Sequence, residues 1–470
     1  MNPNIFQSLP VPSTDEIHEI LVNRIDRQKQ AVGIVVGIIE PTGRRVVAYG
    51  NLAHGRGADD NPRTVDGDTI FEIGSISKVF TSLLMADMVN RKEVTLDDPA
   101  ANYLPQTVKM PERSGKSITL LDLSTHRSGL PNCPSNLKLN LTQGEIKDPA
   151  NPYAFYSVDD LYEFLSEYTL PRDPGSEFEY SNLGAGLLAH LLTNRAGTDY
   201  DSLTRIRITQ PLGMPDTGIT LALSPKQRMA AGHRANLAPI TPKDWDPSHA
   251  LAGAGALRSS VNDMLTFLEA VLGYKESPLA PAMKAMLEVR RPAGKIEIGL
   301  GWLISSTDGR EIAWHNGGTA GFRSFAGYDP KERIGVVVLS NASTPPGVED
   351  IGFYLLNPKA PLTNIEPPKQ HAEIDIDPKL LDNYTGRYQV TPNLILEITR
   401  DGTRLFAQGF GQVAGQAILL PKFELFAEGE KDFFASVTDQ QITFEVSPEG
   451  DATSLILRKA GRDMPAPRLS

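Results

Sequence analysis

The sequence predicts an α+β domain followed by a small antiparallel β-barrel, and three observations lead there. β-Branched stretches stand near the N-terminus and resume only near residue 298, with a mostly helical block between them. A polar stretch, NPKAPLTNIEPPK, carries four prolines within residues 357–369 and reads as a linker. Beyond it come eight short alternating stretches with hardly any helical periodicity. The expected division is a domain over 1–356, a linker over 357–372 and a barrel over 373–470.

The elements follow in order. Ser13-Thr14-Asp15-Glu16 fits a capping box, and the residues after it, EIHEILVNRIDRQ, have helical periodicity. AVGIVVGIIE and RRVVAYGN are separated by Pro41-Thr42-Gly43, the pattern of a hairpin. VFTSLLMADMVNRKE predicts a strong helix ending before the turn-like LDDPA. Between about 100 and 275, VDDLYEFLSEY, LGAGLLAHLLTNRAG and SVNDMLTFLEAVLG predict helices. The polar run from Pro131 to Tyr156 reads as a surface excursion, a common home of substrate selectivity.

GLGWLISS, REIAWHNGG, FRSFAGYDP and RIGVVVLSNA then predict an antiparallel run. A sheet completed by both ends of the domain is expected, with helices segregated beside it. In the barrel the strands are YTGRYQV, LILEITR, RLFAQGF, QAILLPK, FELFAEG, DFFASVT, QITFEVS and TSLILRK, with Asp401-Gly402 and Glu449-Gly450 among the turns.

Composition narrows the function classes. The net charge is −11 and no Lys/Arg run occurs, which argues against nucleic acid or an anionic membrane as partner. A single cysteine, Cys133, excludes a disulfide framework, a zinc cluster or a CxxC redox motif within one chain. No apolar run reaches the roughly 18 residues of a spanning helix, and the first residues lack a basic start with an apolar follow-on. A cytoplasmic protein is expected.

Three short stretches carry chemistry. FEIGSISKVF puts Ser75 and Lys78 three residues apart at a helix start, which stacks the two side chains on one face. A serine hydroxyl needs a neighbouring base, and an amine of lowered pKa can serve. Tyr180-Ser181-Asn182 precedes a second helix, and a tyrosine hydroxyl aimed at a nucleophile can relay a proton. His315-Asn316-Gly317-Gly318 ends a strand with glycines that permit close backbone approach. Alone, each stretch is weak and has a structural explanation.

In that order, SxxK, YxN and His-x-Gly resemble the serine β-lactamase and penicillin-binding-protein superfamily, in the branch of class C β-lactamases, DD-carboxypeptidases, D-aminopeptidases and related esterases. The resemblance covers about residues 10 to 350 and includes ITLLDLSTHRSGLP, ALAGAGALRSSVNDMLTFL and HNGGTAGF. It implies a β-lactamase/transpeptidase-like fold. It also implies an acylated nucleophile at Ser75, a proton acceptor at Lys78 and a relay at Tyr180. Asn182 would position Lys78 and the substrate, with His315 and Gly317 shaping the binding strand. The backbone N–H groups of Ser75 and Gly318 would form the oxyanion hole. No cofactor and no metal are implied. The barrel is similar to the lipocalin-like domain that follows some D-aminopeptidases and thioesterases of the branch, and it could carry a homo-oligomeric contact.

One departure matters. His315 stands where penicillin-recognising members have a lysine, and a histidine is mostly neutral near pH 7. The expectation therefore shifts toward a small peptide, amide or ester substrate. A class C-like β-lactamase, a peptide-cyclising thioesterase and a catalytically silent peptide sensor are the rivals. Arg323 is expected as a solvated strand residue, not as a replacement cation. His126 and His233 are assigned to structure, and Asp97-Asp98 and Asp159-Asp160 to turns and helix starts.

Overall fold

In the computed structural model, residues 11–469 are described apart from 54–62, 138–140, 143–144, 147–150, 152, 154, 241–244, 247–248, 308, 366–372, 393, 414–415, 420–421, 436–439, 449 and 460–461. The chain divides into two units, residues 1–138 with 150–366, and residues 139–149 with 367–470. Much of the Pro131–Tyr156 excursion and of the linker lies outside the described residues, and so does Glu449 of the expected barrel turn.

The first unit is organised by one antiparallel sheet. Helix α1 (Thr14–Val22) starts on the expected capping box, with Ser13 and Glu16 satisfying each other's backbone N–H. Strands β1 (Gly33–Glu40) and β2 (Gly43–Gly50) form the hairpin. The chain returns to the sheet in six further strands. These are β3 (Arg291–Ala293), β4 (Ile296–Ile298), β5 (Leu303–Thr307), β6 (Arg310–Gly318), β7 (Arg323–Asp329) and β8 (Ile334–Ser340). The strand order is β3-β4-β5-β6-β7-β8-β1-β2, so both ends of the domain complete one sheet through the pairing of β1 with β8.

Helices cover both faces of this sheet, where the sequence reading had them segregated beside it. Val35 and Ile39 of β1 enter one core, with helix α2 (Ser77–Asn90) and a helix over Val261–Val271. Ile34, Val36 and Ile38 enter another, with α1 and a helix over Glu349–Leu356. The unbroken apolar runs GIVVGIIE and IGVVVLS carried that information, because a strand buried on both faces loses its alternation.

The helical block supplies helices over Val158–Glu167 and Asn182–Ala196, each capped by a serine, Ser157 and Ser181. Helix α2 runs through the centre of the unit. From Thr69 to Met88 every residue except Ser75 is buried. A helix buried on nearly every side belongs in an interior, and the partly exposed Ser75 stands in the turn just before it.

The second unit is a nearly closed antiparallel barrel. Eight strands follow one another from Gly386–Thr391 to Arg462–Pro467, and alternate residues such as Leu396, Ile398, Ile442, Phe444, Leu455 and Leu457 fill its core. Closure comes where Tyr388 bridges Arg468 and the Leu469 N–H donates to Arg387 O at 2.7 Å. Two sequence readings need adjustment. Among its described residues, QAILLPK forms a strand over Gln416–Leu419, which pairs off the main path. The last barrel strand, Arg462–Pro467, was hidden by its two prolines, residues that break most strand patterns.

Candidate active site

The site lies where the start of α2 meets the end of β6. A 3-10 turn over Gly74–Ile76 leads into α2, and Ser75 is partly exposed at its middle. Lys78 lies one helical turn on, 2% exposed, and its Nζ donates to Ser75 Oγ at 2.8 Å. The same amine donates to Ala254 O at 2.6 Å and lies 5.0 Å from the centre of the Tyr180 ring. The segment carrying Ala254 is strapped to α2 by two more bonds: Thr81 Oγ1 donates to Gly253 O at 2.9 Å, and the Leu257 N–H donates to Ser77 Oγ at 3.1 Å. The amine is thus held in place from a distant part of the chain.

Strand β6 approaches this turn at backbone distance. A β-carbon on Gly317 would fall 2.0 Å from Ile73 O and 2.3 Å from Ser324 Oγ. One on Gly74, whose φ is +51°, would fall 2.7 Å from Gly318 N. Only glycine fits either place. Ser324 Oγ donates to Ile73 O at 2.8 Å and ties the neighbouring strand to the same turn. Gly318 N is thereby brought against the turn that carries Ser75.

His315 is buried two residues before Gly317 on the same face of β6, its ring 6.3 Å from that of Tyr180. Its Nδ1 lies 2.6 Å from Asn316 O, so Nδ1 carries the hydrogen and Nε2 is left as an acceptor. Burial pushes its pKa down to about 3, and the charge of Lys78 pushes the same way. The position is neutral at ordinary pH.

Arg323 does not make good the missing charge, and neither is it the solvated residue expected. It donates to Thr319 O and Phe322 O, each at 3.1 Å, and to Ser343 O at 3.0 Å. It packs against Gly318 on the face of β6 opposite to His315 and Gly317.

Tyr180 and Asn182 reach the site from the start of the Asn182–Ala196 helix. Asn182 differs from the expectation in one respect. Its Nδ2 donates to the Tyr153 hydroxyl at 3.3 Å, while the two hydrogen bonds of Lys78 go to Ser75 and Ala254. Tyr153 is 3.4 Å from Cys133 Sγ through its hydroxyl, and its ring lies 5.8 Å from that of Trp245. Tyr153, Ala254 and Ser324 went unnoticed in the sequence. A backbone acceptor leaves no signature, and Tyr153 stands in an excursion with no readable pattern.

The remaining candidates fall into structural places. His233 is buried, with Nδ1 2.8 Å from Asn341 O. Asp98 accepts from the Thr95 N–H at 2.8 Å, and Asp160 closes a capping box with Ser157. His126 is buried against Tyr180, with ring centres 4.5 Å apart.

Comparison with known proteins identifies the family. The family model described as Beta-lactamase matches residues 19–357, and one described as a domain of unknown function (DUF3471) matches residues 370–466. The chain is 28% identical over 328 residues to the D-alanyl-D-alanine-carboxypeptidase/endopeptidase AmpH of Escherichia coli, covering 67% of this chain and 80% of that protein. A class C beta-lactamase structure from Rhodobacter sphaeroides superposes with a TM-score of 0.59 at 26% identity, covering 73% of this chain and 97% of the other. The octameric penicillin-binding protein homologue from Pyrococcus abyssi gives a TM-score of 0.62 at 21% identity, covering 97% and 100%. That last likeness speaks to fold alone.

Proposed function

The chain belongs to the Beta-lactamase family of serine hydrolases, and within it we propose an acyl-transfer enzyme for small peptides, amides or esters that works through an acyl-Ser75 intermediate. The observation that carries this reading is the 2.8 Å contact between Lys78 Nζ and Ser75 Oγ, with a neutral His315 nearby.

In the acylation half, Ser75 Oγ attacks the carbonyl carbon as its proton passes to Lys78, which acts as the base. The tetrahedral oxyanion accepts from the N–H groups of Ser75 and Gly318, each such donor being worth about 2.7–4 kcal/mol in acyl transfer. Tyr180 relays the proton to the leaving group, the carbonyl reforms, and the amine or alcohol departs. Water then adds to the acyl carbon and gives up its proton along the same path. That proton is returned to Ser75 Oγ as its bond to the acyl carbon breaks, and the carboxylic acid leaves.

A lysine at position 315 would offer a substrate carboxylate a permanent cation. A neutral imidazole offers an acceptor and a shape, which favours substrates whose recognition does not turn on a carboxylate. The Escherichia coli relative is named for peptidase activity, and this supports a peptide among the substrates.

The deciding experiment is intact-mass detection of the acyl-enzyme across p-nitrophenyl esters, D-residue peptides and β-lactams. Adducts with esters or D-peptides that turn over, and slow or stalled β-lactam adducts, are expected. Fast multiple turnover of a chromogenic cephalosporin would replace this reading with a β-lactamase. No adduct with any of the three would leave a silent binder.

A further inference from the structure

The sequence reading set His126 aside as structural, yet its contacts converge on one catalytic candidate. The residue follows the short helix Leu120–Ser124 and adopts φ +55°, a conformation that a residue with a β-carbon seldom takes without compensation. Its carbonyl accepts from the Glu179 N–H at 2.8 Å, and its Nδ1 accepts from the Ser181 N–H at 3.2 Å. One histidine therefore grips the backbone on both sides of Tyr180. Its ring also lies against that of Tyr180, with centres 4.5 Å apart and planes 39° apart, while Phe178 meets it edge-on at 5.9 Å.

The next residue extends the grip. Arg127 donates from Nε to Gly175 O at 2.9 Å and from Nη2 to Ser176 O at 2.5 Å, and the Gly175 N–H returns a bond to Arg127 O at 2.8 Å. His126-Arg127 is a two-residue strap across the segment that delivers Tyr180.

We propose that His126 is a positioning residue for Tyr180, setting the phenol against Lys78 through an Nδ1 acceptor and a stacking face. The role requires a lone pair on Nδ1, hence a neutral ring with its hydrogen on Nε2. Burial supports that state by holding the imidazole well below its ordinary pKa, helped by the charge of Lys78. A residue used only to fill space would need neither the acceptor at Nδ1 nor the left-handed backbone.

The proposal rests on Tyr180 acting in acyl transfer, and the test separates the two ideas. His126→Gly suits the backbone and removes acceptor and ring together. His126→Asn tolerates positive φ and keeps an acceptor where Nδ1 stood. We expect His126→Gly to lower kcat for p-nitrophenyl acetate about 10²-fold with KM within about threefold, and His126→Asn to recover about tenfold of that. Combined with Tyr180→Phe, His126→Gly should add almost nothing, since the two act as a unit.

Labelling of Ser75 by a fluorophosphonate probe gives a second rate that needs no knowledge of the substrate. A wild-type protein that labels but leaves the ester untouched would sink the ester reading, and the labelling rates would still rank the His126 variants. Losses additive with Tyr180→Phe, or losses that disappear once corrected for a lowered Tm, would overturn the positioning role. So would a His126→Gly enzyme with unchanged kcat and labelling rate.

Discussion

The two halves of the candidate site make different demands on the chain. The turn into α2 and its first residues contribute functional groups: a partly exposed hydroxyl at Ser75 and a buried amine at Lys78, 2.8 Å apart. The end of β6 contributes mainly shape. Gly317 and Gly318 present backbone, and His315 presents a ring held neutral by burial. On the proposed mechanism, reactivity falls to the helix side and discrimination among substrates to the strand side.

Substitutions on the helix side should give the largest losses. Ser75→Ala is expected to reduce p-nitrophenyl ester turnover by at least about 10³-fold, read as kcat/KM, since nothing else can carry the acyl group. Lys78→Ala should follow with about 10²–10⁴-fold, chiefly in kcat. If Lys78→Ala kept wild-type kcat, the division of labour between the two halves would fail at its centre.

On the strand side the effects should be smaller and differently distributed. Gly317→Ala forces a methyl group to within 2.0 Å of Ile73 O, so strand and turn must separate. A displacement of that order costs about 10²-fold where geometry is tight. Unchanged activity would mean that the strand's close approach is not needed. His315→Lys should shift the kcat/KM ratio of a chromogenic cephalosporin over an uncharged ester upward by about tenfold, the effect of one added charged hydrogen bond.

The smallest effect concerns stability. The folded state keeps His315 neutral down to about pH 3, whereas an unfolded chain takes up that proton near its ordinary pKa of about 6.5. In that window the unfolded state binds more protons, so stability falls as pH falls from about 6.5 toward 3. The Tm of the wild type should therefore drop by several degrees between pH 7 and 4, and His315→Asn should flatten part of the drop. His190, pushed down to about 4 by burial, contributes a slope of the same sign that survives the substitution.

How much of this was legible in the sequence depended on whether the signal was local. Ser75 and Lys78 sit in one helical turn, and Tyr180 stands two residues before Asn182 at the start of another helix, so their spacing could be read directly. The hairpin, the central helix and the sheet built from both ends were legible for the same reason. What remained hidden was carried by the backbone or by distance. Ala254 binds Lys78 through a carbonyl, an atom every residue possesses. Ser324 meets Ile73 across 251 positions of sequence, and Tyr153 meets Asn182 across 29. The turning of Asn182 toward Tyr153 instead of Lys78 is the sharpest such case, because the motif fixed the residue and left its partner open. The covering of both sheet faces was written in GIVVGIIE, whose missing alternation marks a strand buried on both sides.

The pairing of β1 with β8 also orders events in time. Ile34 lies opposite Ser340, so the sheet cannot be completed until both ends of the domain have been synthesised. The turn around Ser75 meets its facing strand only when Gly317 arrives, and until then Ile73 O lacks the Ser324 hydroxyl that ties it down. Contacts of such span are slow to form, because a long loop must close before they yield anything. On the ribosome, the hydroxyl of Ser75 and the amine of Lys78 would thus emerge well before the strand that completes their surroundings. Reactivity at Ser75 should appear late and abruptly, as a by-product of closing the sheet.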